Sequence, residues 1–165
     1  TIHYRVDPRN EFERLPSPAY SRYFIISPLQ RLIVLYVQGY LNDEEVHVFV
    51  CHWPSRREGA NATSHKRVQA AEQVSAFIEG NKGINESSKV IIMGDFNDNP
   101  IDESVKEYLV TNLLYNPFEK LMTITRGSLS HYAKWYLFDQ IIFSHNFFKL
   151  EKGKHSFQNA EITVL

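Results

Sequence analysis

Apolar residues along the chain fall into short blocks separated by polar punctuation. "RYFIIS" (22–27) and "RLIVLYVQGYL" (31–41) are dense in Ile, Val, Leu, Tyr and Phe and predict strands, parted by Pro28. "NDEE" and then "VHVFVC" (46–51) follow, which predicts a tight polar turn and an antiparallel partner strand. Alternation puts His47, Phe49 and Cys51 on one face of that strand and Val46, Val48 and Val50 on the other. At His52 the loop "HWPSRREGANA" begins. In "TSHKRVQAAEQVSAFIEG" the residues Val68, Ala71, Val74, Ser75 and Ile78 keep near a 3.6-residue period, with Thr63 or Ser64 placed to cap and Gly80 to stop a helix. "KVIIMG" (89–94) is a wholly apolar run bounded by turn residues, the pattern of a strand covered on both faces. Asp102 predicts a cap for a short helix in "ESVKEYLV" (103–110). From "TNLLYNPFEKL" to "HYAKW" no period is sustained; "YLFDQIIFS" (136–144) reads as the last clear strand, and "AEITVL" as the start of another. Residues 1–20, with three prolines and mixed charge, read as an extended lead-in. Strand, helix and strand with polar residues at the strand tips predict an α/β fold.

Composition narrows the classes. At 165 residues and 43% hydrophobic, the chain suits one domain, residues 1–165, with a sizeable core. Eighteen basic against nineteen acidic residues give a net charge of −1, so no global basic field favours nucleic acid, and attraction to phosphate requires a local cluster. Cys51, the single cysteine, excludes an internal disulfide framework and a cysteine-built zinc site. No apolar run reaches the roughly 18 residues of a membrane span, and the first residues lack the pattern of a signal segment. A soluble monomer is expected, its localisation open. The chain begins on "TIHYR" without Met and ends on "EITVL" in apparent mid-strand, which suggests a piece of a longer protein.

Candidate chemistry sits at the strand tips. In "VIIMGDFNDNP" an apolar strand ends in Asp95, Asn97, Asp98 and Asn99. If the extended path persists past Gly94, Asp95 and Asn97 point the same way while Phe96 packs inward. A carboxylate there can hold a divalent cation or orient a water, and a neutral amide can meet a phosphoryl oxygen without repelling it. The same "DFNDNP" also suits a purely structural Asx turn. "HWPSRR" is a second polar tip: His52 is suited to donate to a phosphoryl oxygen, and Arg56 and Arg57 to bind phosphate, although such a loop taken alone reads more readily as a packed Trp53 and a solvated basic pair. Asp139 stands within the apolar "YLFDQIIFS", where a carboxylate calls for a fixed partner. His3, His47, His65, His131, His145 and His155 show no ligand spacing and read as surface or packing residues.

With "HVFVCHWPSRREG", "VIIMGDFNDNP" and "WYLFDQIIFS" in this order, and "RVQAAEQV" between the first two, the sequence resembles the endonuclease/exonuclease/phosphatase superfamily over about residues 31 to 145, nearest its bacterial branch with a His-Trp-Pro-Ser-Arg loop. The resemblance implies a deoxyribonuclease I-like four-layer α/β/β/α sandwich with largely antiparallel sheets, of which this chain holds part. It implies hydrolysis of a phosphodiester or phosphomonoester with Mg²⁺ or Mn²⁺ by in-line attack of water. By the same resemblance Asp95 acts on the water or the metal, Asn97 holds the phosphoryl group or the water, and His52 stabilises the transition state. Asp139 would orient a histidine near the family's carboxyl terminus. The chain departs from the pattern too. The family's amino-terminal metal-binding Glu and its terminal Ser-Asp-His motif are both missing, "KGKHSF" around His155 is not that motif, and Cys51 stands where many relatives have Asn.

Two functions are therefore expected to compete. One is a metal-dependent phosphoesterase, incomplete or inactive as this segment. The other is a catalytically dead module that uses the same phosphate-shaped cleft for binding. Nothing in the sequence selects among DNA, RNA, nucleotide, inositol phosphate or lipid as the phosphate ester.

Overall fold

The computed structural model describes residues 22–25 and 33–161. The predicted lead-in, and most of the strand expected in "AEITVL", lie outside these residues. Strands β1 (Arg22–Ile25), β2 (Ile33–Leu41) and β3 (Glu44–His52) form an antiparallel run, and helix α1 (Ser64–Gly80) crosses over to β4 (Lys89–Asp95), which pairs parallel to β3. A short β5 (Leu114–Tyr115), a small hairpin of β6 (Leu129–His131) and β7 (Lys134–Tyr136), and β8 (Asp139–Ser144) follow. The main sheet has the order β1-β2-β3-β4-β8-β5, mixed and largely antiparallel as expected, with β3 and β4 the one parallel pair among the described strands.

The "NDEE" turn closes on two residues, Asn42 and Asp43, both with positive φ (47° and 63°). That handedness matches the strand twist, and Asn and Asp tolerate it. On one face of the sheet Val34, Tyr36, Phe49, Cys51, Val90, Ile92 and Ile142 join Ala70, Ala71, Val74 and Ile78 of α1 in the core. His47 lies in this face with its Nδ1 2.8 Å from the Tyr36 hydroxyl. Burial lowers its pKa, against a smaller opposite pull from Glu45, and so favours the neutral ring.

Across the opposite face, register lines up Leu35, Val50, Met93 and Ile141 in one row and Val37, Val48, Ile91 and Phe143 in the next. Val50 and Ile141 are exposed. The expectation that the "KVIIMG" strand is covered on both faces is corrected here. Val90 and Ile92 are buried, whereas Ile91 and Met93 are only partly so, because α1 and residues Val105 and Leu109 pack on the same side.

Other elements differ in detail from their sequence patterns. Helix α1 lacks a side-chain cap: the Thr63 hydroxyl donates to the Gly59 carbonyl and that of Ser64 to the Asn61 carbonyl. Its buried stripe is Arg67, Ala70, Ala71, Val74 and Ile78, turned toward Arg67 relative to the expected stripe. "ESVKEYLV" does wind, but as a π-turn over Ser104–Leu109 closed by Val110 N–H to the Val105 carbonyl. Asp102 provides no cap to it; its carboxylate instead accepts from the Asn99 N–H. The last strand starts at Asp139 rather than 136, since Leu137 N–H donates to Asn99 Oδ1 and Phe138 N–H to Ser128 Oγ instead of to a strand.

Candidate functional site

Three strand tips meet in register. His52 at the end of β3 pairs with Asp95 at the end of β4, and Asp95 pairs with Asp139 at the start of β8. All three belong to the face that carries Val50, Met93 and Ile141, because each is two residues away from one of these on its own strand. At about 4.8 Å between strands, the row spans on the order of 10 Å. His52 Nε2 is 4.0 Å from Asp95 Oδ2, and their side chains are 60% and 37% accessible, so both groups are within reach of a substrate.

The row is fixed from behind. The sheet pattern runs one step past the tips, with Trp53 N–H donating to the Asp95 carbonyl and Phe96 N–H to the Phe138 carbonyl, each at 2.9 Å. Trp53 and Phe96, both fully buried, meet edge to face beneath the tips at 4.8 Å between ring centres. Gly94 has φ 134°, and a Cβ there would lie 2.0 Å from the Cys51 carbonyl oxygen, so only glycine lets the two strands close at this level. Cys51, its partner, faces the core. Burial pushes its thiol up to about 12, outweighing a downward pull from Trp53, which leaves it an inert packing group.

Past Gly94 the chain does not stay extended. Asn97 takes φ 50°, its N–H donates to Asp95 Oδ1 (2.8 Å), and its side-chain Nδ2 donates to the Trp53 carbonyl (2.9 Å). Asp95 and Asn97 are therefore joined by an Asx turn at the tip rather than by strand alternation. The turn leaves Asp95 Oδ2 on the side of His52.

Arg56 does not stand where the sequence pattern places it. Its Nε donates to the Asn97 carbonyl (2.6 Å), and its Nη2 is shared between Asp98 Oδ1 and Asp102 Oδ2. Its guanidinium stacks 4.7 Å from the centre of the Phe138 ring. Arg56 was expected to bind phosphate; in the structure its Nε and Nη2 are engaged by the Asn97 carbonyl and by these two carboxylates. Arg57, on the same turn, is exposed and makes no ion pair among the described residues. Asp139 also departs from expectation. It opens its strand, its side chain is exposed, and solvent removes the need for the fixed partner that a buried carboxylate would require. Its backbone N–H is held by Ser128 Oγ at 3.0 Å.

A buried network behind the tips has no counterpart in the sequence patterns singled out above. Arg67, 1% exposed, places its Nε 2.8 Å from Asp98 Oδ2, a contact of ion-pair length not aligned as a hydrogen bond; Ser104 Oγ donates to the same oxygen. Gln140 Nε2 donates to the Asp98 carbonyl (2.7 Å), and Asn116 Nδ2 to Gln140 Oε1 (2.7 Å). One signal for the network was present: an arginine on the 3.6-residue stripe with Ala71, Val74 and Ile78 demands a buried acid.

Two carboxylates side by side across a strand pair repel unless a cation or proton intervenes, which suits the tips to a divalent ion. Yet among the described residues no group of three His, Cys, Asp or Glu side chains is arranged to hold a metal. The described donors do not fit a metal by themselves.

The family model of the Endonuclease/Exonuclease/phosphatase family matches residues 22–165. No curated protein matches the sequence. Among solved structures, SmcL is similar with a TM-score of 0.55 at 17% identity, covering 70% of this chain and 43% of its own. Truncated Caenorhabditis elegans TDP2 gives 0.52 at 17%, covering 76% and 51%, and humanized D. rerio TDP2 gives 0.53 at 20%, covering 76% and 50%. The chain thus spans about half the length of these structures or less, and at such identities they share its fold. From the match over residues 22–165, this chain belongs to the endonuclease/exonuclease/phosphatase family.

Proposed function

We propose that the protein carrying this chain is a divalent-metal-dependent phosphoesterase that hydrolyses a phosphodiester or phosphomonoester by in-line attack of water. The register that sets His52, Asp95 and Asp139 side by side at three adjacent strand tips is the observation that carries this reading. Asp95 Oδ2 orients the attacking water and takes up its proton, its other oxygen being held by the Asn97 N–H. His52 donates to the phosphoryl oxygen on which charge develops. Asn97 braces the tip, and Arg57 is the exposed cation of the loop for a non-bridging phosphate oxygen. A divalent cation, Mg²⁺ or Mn²⁺, supplies Lewis-acid polarisation when bound and requires ligands beyond the described residues. Support comes from relatives of the same fold: beta toxin from Staphylococcus aureus has been solved with bound magnesium ions, and D. rerio TDP2 with a single-strand DNA product.

The test is hydrolysis of bis-p-nitrophenyl phosphate by the full-length protein with Mg²⁺ or Mn²⁺. Turnover is expected in the native protein and its loss, by about 100-fold or more, in Asp95→Ala. Undiminished turnover in that variant overturns the site. Phosphate binding by a native protein that never turns over the diester would instead make it a binding module.

A further inference from the structure

We propose that Asp98, clamped between Arg56 and Arg67, is a positioning residue whose ion network holds Asn97 in its left-handed turn and thereby aims the Asp95 carboxylate. This inference rests on the phosphoesterase reading for its catalytic consequence, though not for its structural one.

Asp98 is 4% exposed and would be costly to bury as an isolated anion. Each of its carboxylate oxygens faces a cation: Oδ1 takes Nη2 of Arg56, from the loop after β3, and Oδ2 lies against Nε of Arg67, from α1, with Ser104 donating beside it. Arg67 is in turn held by Thr63 Oγ1 (2.7 Å) and the Ala60 carbonyl (2.8 Å), so it is an anchor rather than a mobile counter-ion. Arg56 then reaches past Asp98 to the carbonyl of Asn97. Asn97 is a non-glycine residue at φ 50°, a conformation that persists where surrounding contacts over-determine it. Three contacts do so here: its N–H on Asp95, its carbonyl on Arg56 and its amide on Trp53. All three tie Asn97 to Asp95 or to the loop that follows His52. Asp102 closes the unit from the far side, accepting from both Arg56 and the Asn99 N–H. The loop after β3, helix α1 and the tip of β4 are thus tied at one point, just behind the residues that meet substrate.

Lysine cannot substitute for Arg56, because a single ammonium cannot serve the carbonyl and both carboxylates in this fork geometry. Asp98→Asn keeps the shape and removes the charge that orders the two arginines.

The test uses Arg56→Ala, Arg56→Lys and Asp98→Asn in the full-length protein, with Arg56 chosen because its side chain is partly exposed. The first readout is the Asn97 backbone and side-chain amide signals by NMR. Both should shift, and the backbone N–H should exchange at least about tenfold faster, while those of Val90 and Ile92 in β4 are unchanged. The second is turnover of bis-p-nitrophenyl phosphate, where kcat should fall about 10- to 100-fold with KM kept within about twofold. Added guanidinium should restore kcat to Arg56→Ala, and Arg56→Lys should not recover it. Folded variants with unmoved Asn97 signals overturn the proposal, as do variants whose melting temperature falls while kcat of the folded protein stays native. If the native protein shows no turnover, the phosphoesterase reading fails, and the Asn97 signals still decide whether the network positions the tip.

Discussion

Gly94 shows how much of the site depends on one missing atom. Its Cα partner in β3 is Cys51, and the carbonyl of Cys51 occupies the place a side chain would take. His52 and Asp95 are the next pair in the register, so any displacement at Gly94 is passed straight to them. Gly94→Ala combines a backbone clash with a positive φ that disfavours any Cβ, and is expected to destabilise the fold by about 3 kcal/mol or more. Urea unfolding followed by circular dichroism checks this, and a midpoint within error of the native protein would mean that the two strands do not close as tightly as described. Gly94 was legible in sequence only as the end of an apolar run. That it is a point of closest approach depends on which residue faces it, and Cys51 is 43 positions away.

Elements that rest on local chemistry were readable, and those that rest on distant partners were not. The β2–β3 hairpin is local: a polar two-residue turn between β-rich runs specifies both the reversal and the register. Since Asp43 sits at φ 63° within that turn, Asp43→Gly should relieve backbone strain and raise stability by about 0.5 kcal/mol, read as a higher denaturation midpoint with an unchanged m-value. A lower midpoint would show that the Asp43 side chain contributes more than its strain costs. By contrast, the stretch after Asn99 carries the pattern of a short capped α-helix and becomes a π-turn, because Asp102 is drawn to Arg56, more than forty positions away. The buried stripe of α1 is likewise turned by a long-range ion pair, that of Arg67 with Asp98.

Over the whole molecule the sheet has two polar ends of opposite character. The tips of β3 and β4 carry exposed His52 and Asp95, whereas the start of β3, about 26 Å away at 3.3 Å per residue, carries a closed cluster. There Glu44, buried, pairs with Lys89 Nζ at 2.7 Å and with the His155 Nδ1 and N–H at 2.9 Å each, and Lys89 donates to the His155 carbonyl. His155 is thereby placed far from the candidate site and ties the segment after β8 to the base of the sheet. Burial would raise the Glu44 pKa, but Lys89 and the backbone and ring of His155 hold it down at about 2. Its folded value lies below the unfolded one of 4.5, so this stabilisation is complete above about pH 4.5 and is lost as pH falls toward 2. Glu44→Gln should therefore lower stability at neutral pH and flatten the decline between pH 4.5 and 2, as measured by thermal unfolding across that range. An acid limb as steep as the native one would show that other carboxylates govern it.

Sequence alone determined the kind of element in most of the chain and the polar character of the strand tips, because periodicity, turn residues and strand composition act over a few neighbouring positions. It also carried the three blocks that mark the family. Tertiary structure decided what those tips become. Pairing of β3 with β4 and of β4 with β8 set His52, Asp95 and Asp139 in one row, a register that no local pattern contains. It likewise drew Arg56 to two aspartates. Each of these outcomes is a choice among partners more than forty residues apart, made by burial and charge once the core has brought them together.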